Sequence, residues 1–329
     1  MAKTVNGAFN TFNQDFVNLD PERTKKARNS RDWLYGQLNN LPDNDTDFPL
    51  KYEERHIRFG SFARNTKIRE LDDIDIIYCL HANNATYSQD NFDKKKYYLH
   101  TPNAGSRLKN LSDENILNSR KVVNQFVSSL EDIEHYKQAD IHRRQEAATL
   151  QLSSYEWNFD IVPAFYTTAG FYLIPDGEGN WKATNPPIDQ NKVSRINKKH
   201  DGNILQIVRT LKYWNRRAQM PTIGSYLFEN LVLNYFDTQD KISDYIDVNL
   251  IKFWNSLKSE IYKTVIDPKG IQDDLNDLSY EDKVKVANKS SDTYDKGYEA
   301  YKFETEEKNQ EKSINKWGEI FGDDFPNYE

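Results

Sequence analysis

Residues 59–77 read FGSFARNTKIRELDDIDII. A run of isoleucines calls for burial, yet this one carries Asp73 and Asp75, and a Gly-Ser pair stands about a dozen residues ahead of them. The stretch 73–80, DIDIIYCL, predicts a β-strand, because it is β-branched and apolar with its acids at period two. On a strand, residues i and i+2 share a face, so Asp73 and Asp75 project together while Ile74 and Ile76 enter the core. Two bare carboxylates about 7 Å apart at Cα repel. A divalent cation removes the repulsion, and Mg²⁺ takes oxygen ligands, usually one or two carboxylates plus substrate phosphates. Asp72 is out of phase with this pair and reads as solvation of the strand edge.

A metal pair needs a further ligand. Asp160, in WNFDIVPAF, is an acid at the centre of another apolar strand-like run. If that strand lies beside 73–80, three acids can hold two Mg²⁺ about 4 Å apart, the arrangement used in phosphoryl and nucleotidyl transfer. The competing reading is unrelated strand-end carboxylates facing solvent, and spacing alone does not separate the two. Gly60-Ser61 tips the balance. A glycine followed by a small hydroxyl residue, entering a short helical turn, offers backbone N–H groups and an O–H to phosphate, and glycine permits the close approach. A lone Gly-Ser usually marks a turn; followed at this distance by Asp-x-Asp on a strand, it is a strong signal.

Outward from this stretch the chain divides in two. Asp20 as N-cap, Pro21 and Glu22 predict a long helix over about 20–40. A polar loop follows over 41–56, then a short strand into Gly60. Residues 81–111 look irregular. Ser112, with Asp113 and Glu114 behind it, predicts a helix whose apolar stripe runs Ile116, Leu117, Val123, Phe126, Val127 and Leu130. Two strands, 147–153 and 157–162, are joined by a tight turn, with Pro163 ending the second. GFYLIP gives one more short strand before a loop rich in Gly, Asn and Pro. From about residue 188 the pattern is helical: 190–200, 202–218, 222–237, 246–265, about 279–308 and 313–321, with an exposed loop over 267–282. The expected division is residues 1–187, mixed α/β, and residues 188–329, all helical.

The 329 residues carry a net charge of −7, which argues against general nucleic-acid binding. Residues 191–220 nevertheless hold eight Lys and Arg against Asp201, a local +7. That strip suggests a polyanion held locally, such as a triphosphate; for most of its residues a solvated helix face balanced by acids elsewhere explains it as well. No apolar run approaches the roughly 20 residues of a membrane span, and the N-terminus shows no secretory signal. The single cysteine, Cys79, reads as a small core residue and fits a reducing cytoplasm. The six histidines show no metal-ligand spacing, so zinc is not expected, and His142 and His200 receive no role.

GSFARNTKI followed by DDIDI resembles the signature of the polymerase-β-like nucleotidyltransferases. Arg64-x-Thr66, FDIVPAF, YLIPDGEGNWKATNP, ILQIVRTLKYWNRR, GSYLFENLV and WGEIFGDDFP narrow the match. In that order, over roughly residues 55–326, they resemble the bacterial cGAS/DncV-like nucleotidyltransferases (CD-NTases), which make cyclic oligonucleotide signals in CBASS anti-phage defence. The resemblance implies an α+β fold: a nucleotidyltransferase core, with a mixed sheet flanked by helices, and a C-terminal helical bundle closing the nucleotide cleft. It implies Asp73, Asp75 and Asp160 as catalytic metal ligands for two Mg²⁺, with Mn²⁺ as a substitute. Gly60 and Ser61 would hold the donor's β- and γ-phosphates, Lys212 and Ser225 would contact phosphate, and Tyr226 would stack on the donor base. Arg64 and Thr66 would shape the acceptor pocket, though a structural hydrogen bond explains them equally. Without the resemblance, Lys212 reads as a solvated lysine and Tyr226 as a core aromatic. The implied enzyme is a cytoplasmic monomer that turns ATP, GTP or pyrimidine NTPs into a cyclic oligonucleotide, a dinucleotide foremost, which acts on a separate effector. Two alternatives stay open: NMP transfer to a protein, antibiotic or RNA on the same core, and an inactive nucleotide-binding scaffold. The acidic surface argues against a tRNA-sized acceptor.

Overall fold

The structure, a computed structural model, describes residues 2–329. The helices are α1 (Val5–Phe12), α2 (Pro21–Asn44), α3 (Gly60–Ala63), α4 (Ser106–Lys109), α5 (Ser119–Glu131), α6 (Pro186–Lys199), α7 (Ile204–Arg217), α8 (Ser225–Asp237), α9 (Ile246–Glu260), α10 (Tyr280–Thr305) and α11 (Gln310–Phe321). The strands are β1 (Ile57–Arg58), β2 (Asp73–Leu80), β3 (Thr86–Gln89), β4 (Tyr97–His100), β5 (Ser112–Asp113), β6 (Ile116–Leu117), β7 (Asp140–Arg144), β8 (Ala147–Gln151), β9 (Asn158–Tyr166), β10 (Tyr172–Pro175) and β11 (Trp181–Thr184). They form two compact units. Residues 21–64 and 71–189 make a sheet unit; residues 2–20, 65–70 and 190–329 make a helical unit. The boundary at 189 falls inside α6.

In the sheet unit one mixed sheet runs β1-β2-β9-β10-β11-β4-β6-β5, with β8 also pairing β9, β7 pairing β8 and β3 pairing β4. Only β2 and β9 pair in parallel; every other ladder is antiparallel. β2 forms where the sequence predicts it, its isoleucines buried and its acids half-buried. α2 starts at Pro21 and buries Leu34, Leu38 and Leu41. It is joined to the sheet by the Tyr78 hydroxyl, which donates to the Leu38 carbonyl at 3.1 Å. Cys79 is fully buried, and burial pushes its thiol up to about 12, so it is the core residue its pattern suggests.

Three expectations for this unit need correction. β9 does not end at Pro163 but runs to Tyr166. The β8 ladder stops at Ile161 and the β10 ladder starts at Phe165, so the proline falls at the gap where that edge of β9 has no neighbour. Ser112 does not cap a helix. Residues 112–117 form a small β5–β6 hairpin whose turn residues, Glu114 and Asn115, have positive φ. The helix starts at Ser119, capped by Asn118, whose side chain accepts from the N–H groups of Arg120 and Lys121. Residues 81–111 are not irregular throughout: β3, β4 and α4 lie there, and the Gly-rich loop after β10 contains β11.

In the helical unit, α6 to α11 match the predicted helices to within a few residues, except that α9 is shorter. Their core gathers Trp214, Trp254, Trp317, Phe321 and Phe325. α1 completes it. Val5, Ala8, Phe9 and Phe12 form one buried face, and Phe9 meets the rings of Trp317 and Phe325 edge-on at 4.9 and 5.0 Å. On α10, a Cβ at Gly297 would lie 3.0 Å from Ile251 and 3.3 Å from Trp317, so glycine is what lets this helix approach its neighbours so closely.

Candidate active site

β2 and β9 run parallel and in register, with Asp75 opposite Asp160 and Asp73 opposite Asn158. Period two therefore sets all three acids on one face. One carboxylate oxygen from each lies within 4.8 Å of the other two, and all three residues are half-buried. A set of hard oxygen donors at this spacing fits a divalent cation. Among the described residues no other three His, Cys, Asp or Glu side chains gather in this way.

Thr149, on β8, is the neighbour that no motif announces. It pairs with Asp160 across the ladder, is 2% exposed, and its hydroxyl donates to Asp160 Oδ1 at 2.6 Å. That bond fixes the carboxylate's rotation, as a partner behind a metal ligand does. The only sequence signal for it is a hydroxyl inside the apolar run AATL.

Gly60 begins α3 with φ +76°. A Cβ there would sit 1.7 Å from Asp75 Oδ2, so the Gly-Ser turn packs directly against the second acid of the Asp-x-Asp pair. Phe59 N–H donates to the Asp75 carbonyl at 3.4 Å, which ties the turn to β2. Ser61 is half-buried in the first turn, and Arg64 caps its far end, its N–H donating to Gly60 O at 3.2 Å.

The remaining candidates lie in the helical unit. Lys212, on α7, is not a solvated lysine: it is 6% exposed, and its ammonium donates to Glu229 Oε2 at 2.9 Å and to Thr66 O at 3.2 Å. Thr66 is fully buried, and its hydroxyl donates to the same Glu229 oxygen at 2.7 Å. A structural hydrogen bond of the kind expected for Thr66 is thus present. Ser225 is the exposed first residue of α8, after Gly224. Tyr226 is half-buried and packs against the helical core. Lys269 Nζ stands 4.1 Å over its ring and donates to its hydroxyl at 2.7 Å, while that hydroxyl donates to Asp267 at 3.3 Å. Together these contacts fix the ring plane.

Much of the basic strip is spent on structure. Arg195 grips Asp237 with two bonds of 2.7 Å, Lys192 reaches Asn230 and Asn234, and Arg217 pairs with Asp324 at 2.7 Å. Arg209 donates to the Asn65 carbonyl at 2.8 Å; burial lowers its pKa. His200 is buried against the Phe236 carbonyl, and His142 pairs with Asp140. No helix among the described residues is long and apolar enough to cross a membrane.

A mixed sheet flanked by helices, a Gly-Ser turn seated on Asp-x-Asp and a third acid on the adjacent parallel strand define a polymerase-β-like nucleotidyltransferase. No family model matches the chain. A Bacillus cereus (strain VD146) protein described as a probable cyclic nucleotide synthase is 44% identical, covering 100% of both chains. The cyclic AMP-AMP-AMP synthase of Escherichia coli (strain MS 115-1) is 22% identical over 78% of this chain and 72% of its own length. In fold, the structure of E. coli MS115-1 CdnC with ATP matches with a TM-score of 0.72 at 18% identity, covering 97% of this chain and 98% of that one. The apo form of Vibrio cholerae DncV matches at 0.69 and 12% identity, covering 98% and 96%. The chain belongs to the bacterial cGAS/DncV-like nucleotidyltransferases, the cyclic nucleotide synthases. It is therefore an enzyme that makes a cyclic oligonucleotide, and the acceptor-labelling and inactive-scaffold alternatives fall away.

Proposed function

We propose that this enzyme joins nucleoside triphosphates on Asp73, Asp75 and Asp160, with two Mg²⁺ as cofactors that Mn²⁺ can replace. The observation that carries the reading is the in-register pairing of Asp75 with Asp160, which brings oxygens of all three acids within 4.8 Å. Divalent cations bound there would supply charge neutralisation for an attacking ribose hydroxyl and a departing pyrophosphate. The chain's own residues bind and orient. Gly60 and Ser61 present the α3 turn to the donor's β- and γ-phosphates. Thr149 keeps the Asp160 carboxylate aimed. Lys212 and Ser225 contact phosphate, and Tyr226, its plane fixed by Lys269 and Asp267, stacks on the donor base. Arg64 and Thr66 remain the candidates for the acceptor pocket. Catalysis in this scheme is positioning and electrostatics rather than covalent participation by the protein.

The substrates are NTPs, with ATP foremost. CdnC in the matching structure is recorded with ATP, and DncV with GTP and with 3′-deoxy ATP. Two rings compete for the product. A cyclic dinucleotide is the expectation from sequence. A cyclic trinucleotide is favoured by the relatives whose names state a product, both cyclic AMP-AMP-AMP synthases. The product would act as a second messenger on a separate effector in anti-phage defence, made by a cytoplasmic monomer.

The test is incubation with all four NTPs and Mg²⁺, phosphatase treatment and mass spectrometry. A phosphatase-resistant cyclic product, lost in the Asp73→Ala, Asp75→Ala double variant, is expected. Product formed by that variant at the parent's rate would overturn the assignment of the acids.

A further inference from the structure

Glu229 is a buried charge to which no role has yet been given. It lies on α8 and is 2% exposed. A single oxygen, Oε2, accepts from the Lys212 ammonium at 2.9 Å and from the Thr66 hydroxyl at 2.7 Å. Lys212 returns to Thr66 through the carbonyl, at 3.2 Å. The three residues close a ring of contacts among α7, α8 and the segment 65–70, all within the helical unit.

Stability alone is a poor reason for this ring. A buried ion pair stabilises less than apolar side chains of similar volume, because both charges must leave water. The surrounding faces of α7 and α8 are already apolar: Leu211, Trp214, Phe228 and Val232 are buried. A charge retained among them needs a use that a leucine could not serve. The position of Thr66 suggests one. Its segment is tied down on both sides of it, by Arg209 to the Asn65 carbonyl at 2.8 Å and by Arg69 to the Asn18 carbonyl at 3.1 Å, so it can hold the Glu229 oxygen that faces Lys212.

We propose that Glu229 is a positioning residue. Its charge fixes the Lys212 ammonium in direction, and Thr66, bonded to the same Glu229 oxygen, holds that oxygen in place. The proposal rests on the reading of Lys212 as a donor-phosphate contact.

The test measures pyrophosphate release from an equimolar mixture of the four NTPs. The proteins are the parent, Glu229→Gln, Lys212→Ala and the double variant. Loss of a charge-assisted contact predicts an apparent KM at least about tenfold higher for Glu229→Gln. A purely structural role would instead shrink the active fraction, lowering the saturating rate with KM unchanged. In the Lys212→Ala background the Glu229→Gln change should move KM less than about twofold, because both act through one contact. Thr66→Val should raise KM in the same direction, and Thr66→Ser, which keeps the donor, should restore it. These Thr66 variants decide the matter if Glu229→Gln does not fold. KM unchanged in both Glu229→Gln and Thr66→Val while Lys212→Ala raises it overturns the proposal, as does independence of the two effects in the double variant. KM unchanged in Lys212→Ala itself overturns the phosphate-contact reading, and the proposal with it.

Discussion

Replacing Gly60 by alanine should damage chemistry far more than stability. The new Cβ would stand 1.7 Å from Asp75 Oδ2 and 2.6 Å from Asp75 Cγ, where real contacts stay beyond 3.0 Å. Rotating the carboxylate relieves the first overlap but not the second, so Asp75 Oδ2 must move by about 1.3 Å and, in addition, Cγ or the turn by about 0.4 Å. The backbone adds a smaller term: φ of +76° strains an alanine by about 1–2 kcal/mol. For a protein of 329 residues that lowers the thermal midpoint by only roughly 1.5–3 °C. A displacement of about 1 Å at a catalytic group costs on the order of a hundredfold in rate. The assay is the rate of cyclic product formation at saturating NTP and Mg²⁺, alongside calorimetry. Gly202→Ala is the control. Its φ is +89°, but nothing lies within 4 Å of its would-be Cβ, so it should lose stability and keep its rate. If Gly60→Ala stayed within threefold of the parent rate, the close seating of the turn on Asp75 would not matter to the chemistry, and the reasoning would fail.

Thr149→Val keeps the shape but deletes the 2.6 Å bond to Asp160; the Mg²⁺ concentration for half-maximal activity should rise about 10- to 100-fold. Phe9→Ala removes a fully buried ring packed on Trp317 and Phe325, and urea titration should show about 3–5 kcal/mol lost. Asp247 is 5% exposed, and burial, reinforced by Glu304, lifts its carboxyl to about 6. The folded state therefore holds this proton more tightly than the unfolded one. The resulting stability is present in full below about pH 4 and is lost as pH rises through about 6. Asp247→Asn should escape that loss, gaining up to about 3 kcal/mol on the parent between pH 4 and 7.5 in urea titrations at the two values.

What the sequence made legible follows physical lines. β2 and β9 could be read because a buried strand is β-branched and an acid inside it stands out, so Asp73, Asp75 and Asp160 were all visible. β3, β4 and β11 were not, because TYSQ, YYLH and WKAT are short and only partly buried, leaving little alternation to detect. At 112–118 the sequence pointed to Ser112 as the N-cap, whereas Asn118 caps the helix; what separates them is the hairpin at Glu114-Asn115, which local pattern does not encode. Thr149 could not be found from sequence: a threonine in a strand is ordinary, and only the ladder register sets it behind Asp160. The same holds for Glu229, whose meaning lies in Lys212 and Thr66, far away in the chain. Apolar periodicity was present in α1, at Val5, Ala8, Phe9 and Phe12, but a helix of eight residues among asparagines gives a weak signal.

The membership of α1 in the helical core has a consequence for synthesis. Its apolar face leaves the ribosome before Trp317, Phe321 and Phe325, which follow roughly 15–60 s later at ordinary translation rates. Over that interval the residues of the sheet unit emerge in full and can collapse on their own, whereas the first helix must wait with its phenylalanines uncovered. A nascent chain of this enzyme thus carries an uncovered apolar helix through most of its synthesis, and chaperones that guard such surfaces should govern how much active synthase a cell obtains.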